Sequence, residues 1–139
     1  MRNLTVGRMM REDVRTSLAD NTVANFRKEV PLGAAQRMIA TDRNKKYVGM
    51  LVVSEIHAQD LGSNDQPIRA LAKYPETFLL PNMNVQTAAE LFRRTNSEEL
   101  AVVDNIQNRH VIGLLTEAHL LRRYAEELDK ARKDLSGEN

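Results

Sequence analysis

The chain has 139 residues, of which 42% are apolar and 28% charged, and its formal net charge is +1. This near balance argues against a general nucleic-acid binder, which needs a basic excess to neutralise phosphates. The lack of cysteine excludes disulfides and thiolate zinc sites. No apolar run approaches the ~20 residues that cross a bilayer, and no signal-peptide pattern is present. These features predict a soluble, cytosolic protein of one compact domain or two small packed halves, with no direct membrane insertion.

An internal repeat organises the chain. At an offset of 62 residues, Val6–Met9 aligns with Ile68–Leu71, and Asp42 aligns with Asp104. Further along, the second copy carries two extra residues, so that Gly49 aligns with Gly113. The repeats are predicted at residues 1–61 and 67–125, joined by a polar linker at 62–66. A C-terminal helical extension is predicted over residues 126–139.

The first repeat is predicted to contain an apolar lead-in, a strand, a helix, two strands and a second helix. Polar residues at Asp20–Thr22 favour a helix start, and Pro31 favours its end. Apolar side chains three and four residues apart predict one buried helix face, and they are Val23, Phe26 and Val30. The predicted ranges are 4–10 for the lead-in, 14–18, 37–41 and 47–53 for the strands, and a last helix from Ser54.

The second repeat is predicted to follow the same order. Its ranges are a lead-in at 67–72, a strand at 77–80, a helix starting after Asn84 and ending at Asn96, strands at 100–104 and 111–115, and a helix from Thr116. Thr116 is the expected N-cap, and the free amides behind it are expected to face an anion at a cleft. Since about 60 residues bury too little to be stable alone, the two sheets are expected to pack together. The predicted fold is α+β, with two pseudo-symmetric strand-helix-strand-strand-helix repeats packed sheet to sheet.

The last helix carries an apolar stripe at heptad spacing over about two heptads. Its residues are Leu121, Tyr124, Leu128, Ala131 and Leu135. Two heptads are marginal for a coiled coil, so two interpretations stay open. The helix either packs on its own domain, fraying beyond Leu128, or serves as the partner helix of a homodimer.

Each half ends in glycine, two apolar residues and a short helix with an acid or a hydroxyl residue at its start. This tandem resembles a CBS-domain pair, or Bateman module, over about residues 4–124. Residues 114–128 and Pro31-Leu32-Gly33 are also similar to the C-terminal CBS region of bacterial CLC-type chloride channels. The resemblance implies a regulatory, non-catalytic homodimer with AMP, ADP or ATP as a regulatory ligand and no required cofactor. It further implies a covalently attached membrane channel domain, with this segment as the cytosolic part of an inner-membrane protein.

The family's nucleotide signature is Gly-apolar-apolar-Thr/Ser-x-x-Asp, in which the hydroxyl faces phosphate and the acid accepts from ribose hydroxyls. The first half departs from it, because Val52 occupies the hydroxyl position, although Glu55 supplies an acid. The second half keeps Thr116 but has His119 in place of the acid. The resemblance therefore implies two incomplete clefts. Alternatively, the clefts are vestigial and the module is a structural dimerisation unit.

The candidate nucleotide-binding residues fall into two groups. Thr16 and Asp20 are expected near Glu55 in the first cleft. Phe78 is expected to offer a stacking surface beside Thr116 in the second. The serines and the three histidines match no nucleophile elbow or metal-ligand spacing, and no phosphate-binding lysine loop is present. The sequence therefore predicts a protein that is not an enzyme and holds no metal.

Overall fold

The computed structural model describes residues 4–137, so the predicted boundaries at residues 1 and 139 lie outside it. The first repeat contains α1 (Val6–Met9), β1 (Thr16–Leu18), α2 (Val23–Glu29), β2 (Arg37–Thr41), β3 (Tyr47–Val52) and α3 (Val53–His57). The second contains α4 (Val85–Thr95), β4 (Glu99–Val103), β5 (Val111–Thr116) and α5 (Glu117–Ser136). Short 3₁₀ turns span Leu61–Ser63 and Ile68–Leu71. This mixture of helices with small sheets confirms the predicted α+β class.

Local hydrogen bonds recur at the predicted repeat offset. The side-chain oxygens of Thr22 and Asn84 each accept from the amide three residues later, at 3.1 and 2.9 Å, and so cap α2 and α4. Asp42 and Asp104 each accept from the amide just before the returning strand, in both cases at 2.9 Å. Each aspartate therefore closes the hairpin of its own repeat.

The predicted strand at residues 77–80 is reduced to a single bridge. In the first repeat β1 pairs with β2 in parallel, and Ala19 extends the ladder by donating to the Thr41 carbonyl at 2.8 Å. In the second repeat only Leu79 bridges β4 among the described residues. The residue equivalent to Ala19 is Pro81, which has no N–H to donate. The first sheet thus has the order β1-β2-β3, while the second consists of β4 and β5.

The residue that follows each lead-in pairs with the last strand of the other repeat. Arg11 exchanges two backbone hydrogen bonds with Leu114 in β5, at 2.8 and 2.9 Å. Lys73 exchanges two with Met50 in β3, at 2.7 and 2.8 Å. The two repeats are therefore joined by backbone pairing as well as by side-chain packing.

Two glycines permit this close approach. A Cβ atom added at Gly49 would lie 2.8 Å from the carbonyl oxygen of Lys73. At Gly113 it would lie 2.8 Å from the carbonyl oxygen of Arg11. Both contacts are with backbone that cannot rotate away, so any side chain at these positions would force the crossing segments apart.

The buried side chains form three groups that follow from this crossing. The core of the second repeat takes Val6 and Met9 from the first lead-in. The core of the first repeat takes Ile68 from the second lead-in. A third group lies between the two sheets, and its members are Ile39, Tyr47, Met50, Ala101, Val103 and Leu114. The two sheets therefore pack face to face, as predicted.

The final helix, α5, packs on the core of the second repeat through one face and exposes an apolar stripe on another. Leu120 is fully buried and Tyr124 packs partly on the second core. Leu121, Leu128 and Leu135 are 52%, 44% and 90% exposed. Within residues 4–137 none of the helices combines the length and apolarity needed to span a membrane.

Replacing Gly49 with alanine tests the crossing. We expect Gly49→Ala to lower the free energy of unfolding by about 1–3 kcal/mol, because the new methyl group overlaps the Lys73 backbone. Guanidinium denaturation measures this change. Gly62→Ala is the matched control, since a Cβ there meets only a side-chain oxygen of Asp60, at 3.3 Å. Equal stability of the two variants would contradict the prediction.

Candidate ligand-binding site

A cleft of about 360 Å³ opens between the repeats, at the start of β2 and β4 and beside β5. Its lining residues are Arg11, Val14, Arg15, Ala34, Ala35, Gln36, Arg37, Met38, Glu99 and Leu114. We call it the arginine cleft, after Arg11, Arg15 and Arg37. The volume lies in the range of small-molecule sites, and both repeats contribute to the walls.

The three arginines give the cleft its anion-binding character. Arg37 is the most enclosed, with its side chain 19% exposed and its Nη1 atom 3.2 Å from a carboxylate oxygen of Glu98. Arg11 is 66% exposed and lies 3.7 Å from Asp13, which leaves it free to turn toward a ligand. Planar guanidinium groups bind phosphate through paired N–H donors. The cleft can therefore hold a phosphorylated ligand.

The start of α5 offers less to an anion than its sequence predicts. The Thr116 hydroxyl caps the helix by accepting from the His119 amide at 3.1 Å. The Glu117 amide donates to the Glu98 carbonyl at 2.9 Å. Two of the first three amides of α5 are thus already bonded. The expected group of free amides is not there, and the arginines are the anion-binding groups of this cleft.

The ring of His119 is also engaged. Its Nδ1 atom lies 2.7 Å from Nη2 of Arg122, one turn along α5. Since the arginine can only donate, this ring nitrogen accepts. The side chain at the acid position of the signature therefore already makes a hydrogen bond within its own helix.

Glu99, which the sequence reasoning missed, lies in the arginine cleft. In the β4–β5 register it stands directly opposite Thr116, so the two side chains share one face of the sheet. Burial raises the pKa of Glu99, the guanidinium groups of Arg37 and Arg11 oppose this rise, and the charge of Glu98 adds to it. Glu99 lies outside the nucleotide signature, so the sequence carried no signal for it, and only the strand register brings it into the cleft.

The other candidate residues are divided among separate places. Thr16 and Asp20 line a groove of about 460 Å³ along β1, and Asp20 pairs with Arg69 at 3.1 Å. Glu55 lies elsewhere, paired with Lys73 at 2.6 Å. The structure therefore does not bring Thr16 and Asp20 together with Glu55.

Phe78 lies near the hairpin tips and not beside Thr116. Its ring packs edge-on against Tyr47, with 5.9 Å between centroids. The guanidinium group of Arg109 covers its face at 5.1 Å from the centroid. One face of the ring is therefore covered by Arg109, and the ring does not lie beside Thr116 as predicted.

Comparison with known proteins identifies the fold. Residues 68–126 match the family model of the CBS domain. A CBS domain pair/ACT domain protein of Thermotoga maritima superposes with a TM-score of 0.72 at 20% identity, covering 90% of this chain and 99% of that one. The chain has the CBS-pair fold.

Two other solved structures are similar at comparable identity. CBSX2, solved in complex with AMP, gives a TM-score of 0.71 at 21% identity, covering 89% of this chain and 98% of its own. The cystathionine β-synthase pair domain of a putative Mg²⁺ transporter from Shewanella oneidensis MR-1 gives 0.67 at 22% identity, covering 90% and 74%. No curated protein matches the sequence. At these identities the likeness concerns the fold.

The two clefts of this fold differ in charge. Pseudo-symmetry relates the arginine cleft to a second site around Lys73, Glu55 and Val52. There the acid of the signature is already paired with Lys73, and Val52 stands at the start of α3 without a side-chain cap.

Within residues 4–137 no group of three or more histidine, aspartate or glutamate side chains could hold a metal ion.

The raised pKa of Glu99 predicts a pH-dependent stability difference. Between the ordinary glutamate pKa and the raised value, the native state binds the proton more tightly than the unfolded chain, so stability falls as the pH rises through that window. Glu99→Gln cannot ionise. We therefore expect it to be more stable than the native protein at pH 7, with the difference vanishing below about pH 4. Urea denaturation at several pH values measures this, and a difference that does not change with pH would contradict it.

Proposed function

We propose that this CBS pair is a regulatory module that binds an adenosine nucleotide, AMP, ADP or ATP, in the arginine cleft. The main observation in support of nucleotide binding is that one cleft between the repeats is lined by Arg11, Arg15 and Arg37. The AMP complex of CBSX2, which shares the fold, supports an adenosine ligand. Nucleotide phosphates match the guanidinium groups in charge and geometry.

Binding in this cleft would act on the arrangement of the repeats. Arg11 and Arg37 belong to the first repeat, whereas Glu99 and Leu114 belong to the second. A nucleotide that contacts both favours the arrangement in which both sets of contacts form. It shifts that equilibrium only by its difference in affinity for the two arrangements. The module thus acts by binding and not by catalysis.

The domain that receives this signal is proposed to be an attached transporter, with this module on its cytosolic side. The similar fold of a CBS pair from a putative Mg²⁺ transporter supports this class. A CLC-type chloride channel is the more specific form suggested by the sequence resemblance at residues 114–128 and Pro31-Leu32-Gly33. A flux assay on vesicles that contain the whole gene product, with and without nucleotide, would test this attachment.

Arg11→Ala tests nucleotide binding in the arginine cleft. Thermal-shift titration with AMP, ADP, ATP and S-adenosylmethionine should show a saturable shift with one nucleotide, since a ligand at 100 times its Kd adds about 2.7 kcal/mol. Arg11→Ala should weaken this binding about tenfold, because a charge-assisted hydrogen bond is lost. The loss should shrink at high salt.

Arg43→Ala is the matched control for this experiment. Arg43 lines the groove along β1 and not the arginine cleft, so its removal should leave nucleotide affinity unchanged. A native protein that gives no shift with millimolar nucleotide would contradict the proposed function. Equal losses in the two variants would contradict the choice of cleft.

A second candidate function, structural dimerisation, is favoured by α5. Leu121, Leu128 and Leu135 form the exposed a positions of its heptads. In a parallel pair of helices Glu127, at a g position, faces Arg132 at the e position of the second copy. An antiparallel pair centred on Leu128 would instead bring the two Glu127 side chains together. We therefore propose a second copy of this chain, in parallel, as the occupant of the stripe.

The double variant Leu128→Glu/Leu135→Glu tests this dimer. Sedimentation equilibrium should show a dimer for the native chain and a monomer for the variant, because two carboxylates would enter the apolar seam. Leu61→Glu is the control, since Leu61 is also exposed but lies in the 3₁₀ turn Leu61–Ser63 and not on α5. A native monomer, or a double variant that remains dimeric, would contradict this assembly.

A further inference from the structure

Glu99 is a half-buried acid of the arginine cleft. Its side chain is half-buried, and within residues 4–137 its carboxylate makes neither a hydrogen bond nor an ion pair. The neighbouring acid, Glu98, is already paired with Arg37. Partial burial removes some of the water that solvates a carboxylate, and no protein donor within residues 4–137 replaces it. Glu99 marks a place where a ligand can supply hydrogen-bond donors.

The position of Glu99 limits which donors it can receive. It stands opposite Thr116 at the edge of the cleft that the arginines line. A phosphate held by those arginines therefore lies close to Glu99. In a nucleotide the ribose is bonded directly to the phosphate, whereas the amino group of the base lies at the far end of the molecule. The ribose hydroxyls are the donors that reach Glu99 first.

A carboxylate is the right acceptor for this group. Its two oxygens can accept from two adjacent hydroxyls at once, which neither a histidine nor an amide can do with equal strength. His119, at the signature's acid position, is engaged with Arg122. Glu55, the acid of the other cleft, is engaged with Lys73. Glu99 is the remaining free acceptor of the three.

We propose that Glu99 binds the vicinal ribose hydroxyls of the nucleotide, replacing the acid that position 119 lacks. This inference rests on the proposed nucleotide binding and goes further by assigning the sugar-recognising residue to a strand. It makes the arginine cleft selective for ribonucleotides. The rise in the pKa of Glu99 agrees with a carboxylate whose burial its neighbours do not fully offset.

The test compares a nucleotide with its 2′-deoxy form. The probe is whichever of AMP, ADP and ATP binds the native protein most tightly, and affinities are measured by isothermal titration calorimetry. The native protein should prefer the ribonucleotide about tenfold, as expected for hydrogen bonds to a charged acceptor. Glu99→Gln should weaken binding of the ribonucleotide about tenfold more than binding of the deoxynucleotide, which has only the 3′ hydroxyl to offer, so that the preference disappears.

Glu55→Gln is the matched control, because it removes the acid of the other cleft. It should keep the native preference for the ribonucleotide. A melting curve for each variant shows whether it is folded. Glu99→Gln is expected to be at least as stable as the native protein at neutral pH, so weaker binding by it would not reflect unfolding.

The outcomes separate this inference from the proposed function. If Glu99→Gln keeps the tenfold preference, nucleotide binding stands and the role of Glu99 is overturned. Loss of the preference in Glu55→Gln would overturn it too, by placing the sugar in the other cleft. If the native protein binds none of the three nucleotides, the proposed function fails and this assignment fails with it.

Discussion

The structure depends on two short backbone pairings that run between the repeats. Arg11 pairs with Leu114, and Lys73 pairs with Met50. Each pairing delivers a lead-in to the opposite repeat, so Val6 completes the second core and Ile68 completes the first. Neither repeat can close its core without the other. A segment of about 60 residues that is marginal alone thereby becomes half of one cooperative unit.

Local chemistry explains why much of this fold was predictable. The N-caps at Thr22 and Asn84 and the hairpin aspartates act on backbone a few residues away, so sequence spacing alone places them. The crossing of the lead-ins was not predictable in this way. Apolar periodicity shows that a segment buries one face, but it does not say which sheet covers it. The shortened strand before Pro81 had a readable cause, since proline cannot donate to a ladder.

The site was less predictable because its contacts join residues far apart in the sequence. The signature drew attention to Glu55, but the ammonium group of Lys73, just after the second lead-in, forms an ion pair with its carboxylate. Thr116 was correctly expected to cap α5, but by doing so it takes up an amide that was expected to meet an anion. Glu99 lies outside the signature. Only its register opposite Thr116 brings it into the cleft.

The acids of the two clefts differ in whether a basic side chain is paired with them. Glu55 and Lys73 form an exposed ion pair at 2.6 Å, which contributes little to stability and which a ligand would have to replace with its own contacts. Glu99 keeps its charge half-buried and unpaired, which lowers stability and leaves the carboxylate available. Proteins tend to retain such local inconsistencies where function requires them. The proposed ligand, with a phosphate for the arginines and hydroxyls for Glu99, would supply partners for both kinds of group in the arginine cleft. In this pseudo-symmetric fold the proposed site is therefore distinguished from its counterpart by whether a protein group pairs with its acid.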